Sequence, residues 1–233
     1  HIMNNINSLR QTLDNVDQNK NSLTTYSIDT NLLFYIISGF LIENPRIILH
    51  QLEKCDDSLE KLLLSKRADI VISTEKMQNS RINSFLLITN KQYVLTPKNS
   101  IMYNVPCAKL KDFVDCEFIR GLEHEDLIMS ATIDKYLIEK RPPLGLVHYI
   151  DPQISRRIKS KSNYHSFVTQ FSFYNTNFSY DRTNHSIVLL TDPEFSVSYY
   201  VSYLKDCSPA AKQFLHWLSE HYKYIFQRRK RDF

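Results

Sequence analysis

The chain has 233 residues, of which 42% are hydrophobic and 23% charged, and its formal net charge is +4. This length and composition are typical of a globular protein with one large domain or two small ones. No apolar stretch approaches the roughly 20 residues of a membrane-spanning helix. With only three glycines, the chain has no G-x-G-x-x-G or Walker-type phosphate loop, so these nucleotide-binding sites are disfavoured.

The first 20 residues predict a short linker helix. Ile6, Leu9, Leu13 and Val16 are spaced by three, four and three residues, which is an apolar stripe on an otherwise polar helix. Such a stripe docks on a partner helix or on its own domain, and the pattern leaves both open. The start of the chain lacks the features of a signal peptide. We interpret its first three residues as the remnant of a cloning tag.

The region that follows predicts an α/β unit. Strands are predicted at 22–28, 46–53, 68–73, 82–88 and 92–96, and helices at 31–41 and 57–66. Asp29 or Thr30 can cap the first helix, and Asp56 or Asp57 the second. The short apolar run 68–73 is typical of a buried parallel strand, and alternation of strands with helices predicts right-handed crossovers.

A second α/β lobe is predicted after the polar residues around Pro97. Its strands are predicted at 116–120, 144–150 and 166–173, and its helices at 124–140 and 152–161. The polar stretch 174–185 then returns the chain to first-lobe strands at 187–190 and 196–204 and a closing helix at 209–227. We therefore predict a linker at 1–20, lobe 1 at 21–99 and 175–233, and lobe 2 at 100–174.

No sequence motif indicates an enzyme or a metal site. A zincin needs a second histidine four residues after His124, where the chain has Ile128. His216 and His221 are five residues apart on a predicted helix, on different sides of its axis. The chain also lacks G-x-S-x-G. We predict no enzyme activity, no metal and no cofactor, although catalysis by residues scattered along the chain stays open.

The four cysteines are predicted to be reduced thiols of a cytoplasmic protein. They form no C-x-x-C pair, which disfavours a zinc site or a thioredoxin-like motif. Cys107 and Cys116 are the only two that lie near each other in sequence. A redox switch between them remains an alternative.

The sequence indicates a binding geometry instead of a catalytic one. In an open α/β sheet, ligands lie beyond the carboxyl ends of the strands, and helix N-termini there attract anions. We predict that a small anionic ligand contacts the polar residues at these positions, which are Asp29, Thr30, Ser73, Thr74, Arg120 and Thr169. Arg120 is the leading candidate, because a guanidinium binds a carboxylate through two hydrogen bonds. Helix caps, strand ends and, for Arg120, an inter-lobe salt bridge are the alternatives.

The order of these segments resembles the effector-binding part of LysR-type transcriptional regulators. The residues that carry the resemblance are Asn44-Pro45 before an extended strand, the stretch 59–73, and Ser208-Pro209-Ala210-Ala211 opening the last helix. The likeness extends over nearly the whole chain. It implies an α/β fold of two Rossmann-like lobes joined by two crossover strands, as in type II periplasmic-binding proteins, with an effector cleft between the lobes.

The resemblance also implies a function. The chain would be the regulatory effector-binding and oligomerisation domain of a bacterial, cytoplasmic transcription regulator that forms a homodimer or homotetramer. DNA would be contacted only through an N-terminal helix-turn-helix that is missing from this chain, and no membrane is involved. The glycine common in the family's first strand is replaced near Ser27-Ile28, and the glycine-rich stretch expected around 162–170 is missing. A solute-binding transport protein and a ligand-free dimerisation scaffold are the alternatives.

Overall fold

A computed structural model describes residues 21–53, 57–121, 127–150, 163–170 and 180–227. The chain forms two units, of which unit 1 comprises His1–Ile88 and Tyr199–Phe233 and unit 2 comprises Thr89–Ser198. Two long strands carry the chain from one unit to the other. The predicted linker helix at 1–20 and the predicted helix at 152–161 lie outside the described residues, as does the first half of the predicted return segment 174–185.

Unit 1 is built on three parallel strands. Its elements are β1 (Ser22–Ser27), α1 (Thr30–Glu43), β2 (Ile48–Leu52), α2 (Leu59–Leu64), β3 (Ile70–Ser73), the first part of β4 (Ile82–Pro97), the last part of β10 (Ser196–Leu204) and α4 (Pro209–Gln227). β1 pairs in parallel with both β2 and β3. β10 pairs antiparallel with β3, which gives the order β2-β1-β3-β10-β4.

Caps define the helix starts in unit 1. Asp29 is the N-cap of α1, and its side chain accepts a hydrogen bond from the Leu32 N–H, as the sequence pattern allowed. The predicted cap of α2 was wrong, because Ser58 caps this helix. Asp57 instead lies 2.6 Å from Lys61 Nζ and also pairs with Arg67.

Two apolar clusters stabilise unit 1. One joins α2 to the sheet and consists of Leu62, Leu63, Ala68, Val71, Ile82 and Leu204. The other joins α1 to α4, where the Phe40 ring lies 5.3 Å from the Phe214 ring and 5.8 Å from the Trp217 ring. A Cβ atom at Gly39 would lie 3.0 Å from the Trp217 ring, so the absence of a side chain at Gly39 lets the two helices approach.

Unit 2 has a second set of three parallel strands. Its elements are the last part of β4, β5 (Cys107–Ala108), β6 (Phe118–Gly121), α3 (Leu127–Lys140), β7 (Val147–Ile150), β8 (His165–Thr169), β9 (His185–Leu190) and the first part of β10. β6 pairs in parallel with β7 and β8. β4 pairs antiparallel with β8 and β9, and β5 lies beyond β9. The architecture is therefore two α/β units joined by two crossover strands, as predicted.

Three details differ from the prediction. The strands predicted at 82–88 and 92–96 are one continuous strand, β4, because Asn90 is fully buried within it and the polar segment 89–91 is not a turn. β9 was predicted in lobe 1 but belongs to unit 2, where it pairs with residues 93–97 of β4. The units divide at 88/89 and 198/199, within strands, whereas the sequence placed the lobe boundaries at 99/100 and 174/175.

The core of unit 2 is aromatic. Phe118 stacks on Phe167 with ring centroids 4.9 Å apart, and Phe113 packs edge-on against Phe118 at 5.7 Å. Asp192 links the turn after β9 to two other segments, since it accepts hydrogen bonds from the Tyr136 hydroxyl on α3 and the Leu110 N–H. Burial and the neighbouring Asp192 carboxylate raise the pKa of Tyr136 to about 12.

Candidate functional site

Four of the predicted site residues lie at one edge of unit 1. β1 and β3 are neighbouring parallel strands in which Ser27 is aligned with Ile72, and the Ile28 N–H donates to the Ile72 carbonyl at 3.1 Å. Asp29 and Thr30 follow β1 at this edge, while Ser73 ends β3 and Thr74 follows it. We call these four residues the unit 1 polar edge. The structure brings these four residues together, because the carboxyl ends of parallel strands share one sheet edge.

Asp29 is committed to the fold of unit 1. It is 5% exposed, and its Oδ1 accepts a hydrogen bond from the Leu32 N–H at 3.0 Å. Its Oδ2 accepts a hydrogen bond from the Tyr199 hydroxyl at 3.2 Å. Asp29 therefore caps α1 and also fastens β10 to the start of that helix. The sequence predicted the cap as an alternative role but gave no signal for Tyr199.

The other three residues of the unit 1 polar edge carry uncharged hydroxyl groups. Ser73 is buried, and its Oγ donates to the Glu75 carbonyl at 2.9 Å. Thr74 is half-buried, and Thr30, the first residue of α1, is exposed. Two hydroxyl groups thus remain near the surface, beside the first turn of a helix.

Arg120 is buried in unit 2 and held by α3. Its Nε donates to Asp134 Oδ1 at 2.8 Å, and its Nη2 donates to both the carbonyl and the Oγ of Ser130, each at 2.8 Å. The guanidinium also lies 5.8 Å from the centroid of the Phe167 ring. The sequence analysis gave an inter-lobe salt bridge as the alternative role of Arg120. The salt bridge of Arg120 is instead formed within unit 2, because α3 places a carboxylate and a carbonyl beside the end of β6.

Thr169 lies at the corresponding end of β8. β6 and β8 are parallel neighbours with Ile119 aligned to Ser166, so Arg120 and Thr169 share the carboxyl edge of the unit 2 strands. Thr169 is half-buried and is aligned with Gln92 of β4. Gln92 is fully buried, and its Nε2 donates to the Val168 carbonyl at 2.8 Å. The sequence did not single out Gln92, because a polar residue between two predicted strands is typical of a turn.

The predicted cysteine alternative gains no support from the local geometry. Cys107 is exposed on β5, whereas Cys116 is buried ahead of β6, and both are free thiols. Burial raises the pKa of the Cys116 thiol, and a reactive sensor cysteine needs a lowered pKa. Within the described ranges, no group of three or more His, Cys, Asp or Glu side chains is arranged to hold a metal ion. No helix among the described residues is long and apolar enough to cross a membrane.

Comparison with known proteins gives a likeness in structure alone. No protein-family model matches the sequence, and no curated protein matches it. The effector-binding domain of BenM with its effector benzoate has a TM-score of 0.56 at 15% identity, with 87% of this chain and 92% of that chain covered. The regulatory domain of Synechocystis CcmR in complex with 2-PG has a TM-score of 0.53 at 13% identity, with 89% and 98% covered.

A full-length regulator bound to DNA is also similar. CbnR complexed with its target DNA has a TM-score of 0.50 at 14% identity, with 88% of this chain and 71% of that chain covered. All three similar structures are regulators or their effector-binding domains. The chain therefore has the fold of the effector-binding domains of LysR-family transcriptional regulators.

Proposed function

We propose that this chain is the effector-binding and oligomerisation domain of a LysR-type, DNA-binding transcription regulator. The observation that carries the proposal is the unit 1 polar edge, where Thr30 and Thr74 follow neighbouring parallel strands of a fold that BenM and CcmR share. Such strand ends are where open α/β sheets bind ligands. In this proposal DNA is bound by a separate N-terminal helix-turn-helix, and the regulator acts in the cytoplasm.

The ligand we propose is a small anion, and the structure narrows which groups can hold it. Asp29 already caps the first turn of α1, and the Ser73 hydroxyl donates to the Glu75 carbonyl, so the hydroxyls of Thr30 and Thr74 are the donors left at this edge. Arg120 and Thr169 are the proposed contacts from unit 2. BenM was solved with benzoate, a carboxylate, which supports screening carboxylates first. A ligand acts as an effector only if it binds one arrangement of the protein better than another.

A thermal-shift screen of carboxylates tests the proposed ligand. At a concentration of about 100 times its Kd, a ligand adds about 2.7 kcal/mol to the free energy of unfolding. We expect the T74V variant to reduce the shift in melting temperature. The matched control is T132V, which changes a half-buried threonine of α3 whose Oγ1 donates to the Ile128 carbonyl. A shift in melting temperature that T74V leaves intact contradicts the proposed contact, and one that R120A leaves intact removes Arg120 from the site.

Self-association is supported by apolar side chains exposed on unit 1. Phe34 and Ile42 on α1 are 51% and 81% exposed, and Ile48 on the edge strand β2 is 47% exposed. Exposed apolar side chains on a helix and on the edge strand of a sheet are surfaces that a second copy can cover. We propose that α1 and β2 contribute to a homodimer or homotetramer.

Sedimentation separates this proposal from a transport protein. We expect the chain to sediment as a dimer or larger, and the I42E variant to shift the population toward monomer. I101E is the matched control, because Ile101 is 80% exposed but belongs to unit 2. A chain that is monomeric at every concentration favours a solute-binding protein. A dimer that binds no compound in the screen favours a ligand-free scaffold.

A further inference from the structure

A cavity of about 670 Å³ opens at the amino ends of the unit 2 strands. Its walls come from the segment after β4, the segment ahead of β6 and the start of β8, and its lining includes Ser100, Ile101, Val114, Cys116, Tyr164 and His165. The volume lies within the range of about 300–1,000 Å³ that is common for small-molecule sites. Arg120 and Thr169 lie at the opposite ends of the same strands, so this cavity is distinct from the proposed effector site.

A serine and a histidine are hydrogen-bonded to each other in the cavity wall. The Ser100 Oγ lies 2.8 Å from His165 Nε2, and His165 Nδ1 lies 3.1 Å from the Glu117 carbonyl oxygen. A carbonyl oxygen can only accept, so Nδ1 carries the proton and donates it. Nε2 of the neutral ring is then the acceptor, and the Ser100 hydroxyl donates to it. The carbonyl thus fixes the tautomer in which the imidazole can take a proton from Ser100.

The surroundings keep this imidazole neutral and oriented. His165 is 5% exposed, and its ring packs against the rings of Phe113 and Phe118 at 5.7 Å and 5.2 Å. Burial lowers the pKa of His165, so the ring is unprotonated at neutral pH. The neighbouring Cys116 has a raised pKa, which keeps its thiol protonated and a poor nucleophile.

We propose that Ser100 is a nucleophile that accepts an acyl group from a small ester bound in this cavity, with His165 as its general base and the Glu117 carbonyl as a positioning group. A serine within hydrogen-bonding distance of a base, itself oriented by a third group, is the arrangement that activates a hydroxyl. Ser100 Oγ bonds to the carbonyl carbon of the ester while its proton passes to His165 Nε2. The ester C–O bond breaks, and the leaving alkoxide or phenoxide takes that proton. The products are acyl-Ser100 and the free alcohol.

The lining indicates which esters fit. Ile101 and Val114 are 80% and 47% exposed and offer apolar contact beside the Tyr164 ring. Asp115 and Glu117 bring negative charge to the lining, and no lysine or arginine among the residues that the structure describes contributes to it. The cavity therefore favours an uncharged or cationic ester with an apolar body over an anionic one.

Acylation by 4-nitrophenyl acetate tests the proposal on the whole chain. Release of nitrophenolate gives the rate, and peptide mapping by mass spectrometry locates the acetyl group. We expect one acetyl group per chain, on Ser100, and a rate at that residue that falls about 100-fold in H165Q, a loss typical of removing a general base. S100A should lose the modification. S186A, which changes another serine of unit 2 that accepts from the Asn104 N–H, should keep it.

Near-UV circular dichroism would reveal a variant that misfolds. Even then, the peptide map of the acetylated wild-type chain decides the outcome. Acetylation of Ser100 ahead of every other serine supports the proposal. Acetylation of Ser100 no faster than that of Ser186 overturns it, as does an unchanged rate in folded H165Q. None of these results depends on whether the chain binds an effector, so the test is independent of the proposed regulatory function.

Discussion

At the residue scale, the charged groups near the strand ends stabilise the fold through hydrogen bonds to neighbouring elements. Asp29 connects the end of β1, the first turn of α1 and Tyr199 of β10 through its two carboxylate oxygens. Arg120 connects β6 to α3 in a similar way. Substitutions at either residue therefore report on stability as well as on ligand binding, and each needs a measurement without ligand.

Replacing Asp29 by alanine should destabilise unit 1. D29A removes the cap of α1 and an acceptor for the buried Tyr199 hydroxyl, which should lower the free energy of unfolding by about 1–2 kcal/mol. D29N keeps a capping oxygen and should lower it less. Urea unfolding measures both variants. Equal stabilities of D29A and the wild type would contradict the capping role.

Replacing Arg120 by alanine should destabilise unit 2. The Arg120 side chain is 7% exposed but its partner Asp134 is 39% exposed, so water can compensate Asp134 in the variant. We expect R120A to lower the free energy of unfolding by about 1–3 kcal/mol. R120K cannot reproduce the hydrogen bonds to both Asp134 and Ser130, so its free energy of unfolding should lie between those of R120A and the wild type. Thermal unfolding without ligand checks this, and an unchanged melting temperature would contradict it.

His165 should make stability depend on pH. Burial lowers its pKa in the folded state below the ordinary 6.5, and its hydrogen bond to Glu117 opposes this effect. The unfolded chain therefore binds more protons below 6.5, and stability is lost as the pH falls through that value toward the folded-state pKa. Between about pH 7.5 and about pH 5.5, wild type should lose more stability than H165Q. H216Q, which changes a histidine whose side chain is 74% exposed, should behave like the wild type.

Residue roles were predictable where partners are close in sequence. The Asp29 cap follows from a local pattern, because the carboxylate and its donor Leu32 are three residues apart. The pairs Asp29–Tyr199 and Ser100–His165 are separated by 170 and 65 residues. Only the folded chain brings such pairs together, and a single sequence gives no signal for them.

At the element scale, the strands and helices with a clear apolar period were predicted well. The closing helix α4 runs from Pro209 to Gln227 as expected, since its apolar face recurs at helical spacing. β4 was predicted as two strands because Thr89-Asn90-Lys91 is polar. Burial and strand pairing overcame that local preference, as Asn90 is fully buried.

Gly145 should be required where the segment before β7 passes the start of β6. Its N–H donates to the Cys116 carbonyl at 2.9 Å, and a Cβ there would lie 2.7 Å from the Asp115 carbonyl oxygen. Backbone atoms cannot rotate away, so G145A should lower the free energy of unfolding by about 1–3 kcal/mol. The neighbouring Leu146 is 62% exposed, so L146A should change the free energy of unfolding little. Urea unfolding compares the two, and equal stabilities would contradict the close approach.

At the scale of the whole molecule, the order of elements carried more information than any motif. Alternating strands and helices predicted α/β lobes, and the resemblance to LysR-type regulators implied two such lobes joined by two connecting strands. The structure has this architecture. The division between units was harder to predict, because it falls inside β4 and β10, where no loop residue marks it.

Amide hydrogen exchange is the most direct test of the proposed effector site. It is measured with and without the carboxylate that gives the largest rise in melting temperature. The account predicts slower exchange in the first turn of α1 and at Ser73–Thr74, with added protection after β6 and β8, where Arg120 and Thr169 lie. The cavity at Ser100 should be unaffected. Protection confined to other segments, or a screen in which no compound alters stability, would contradict the account.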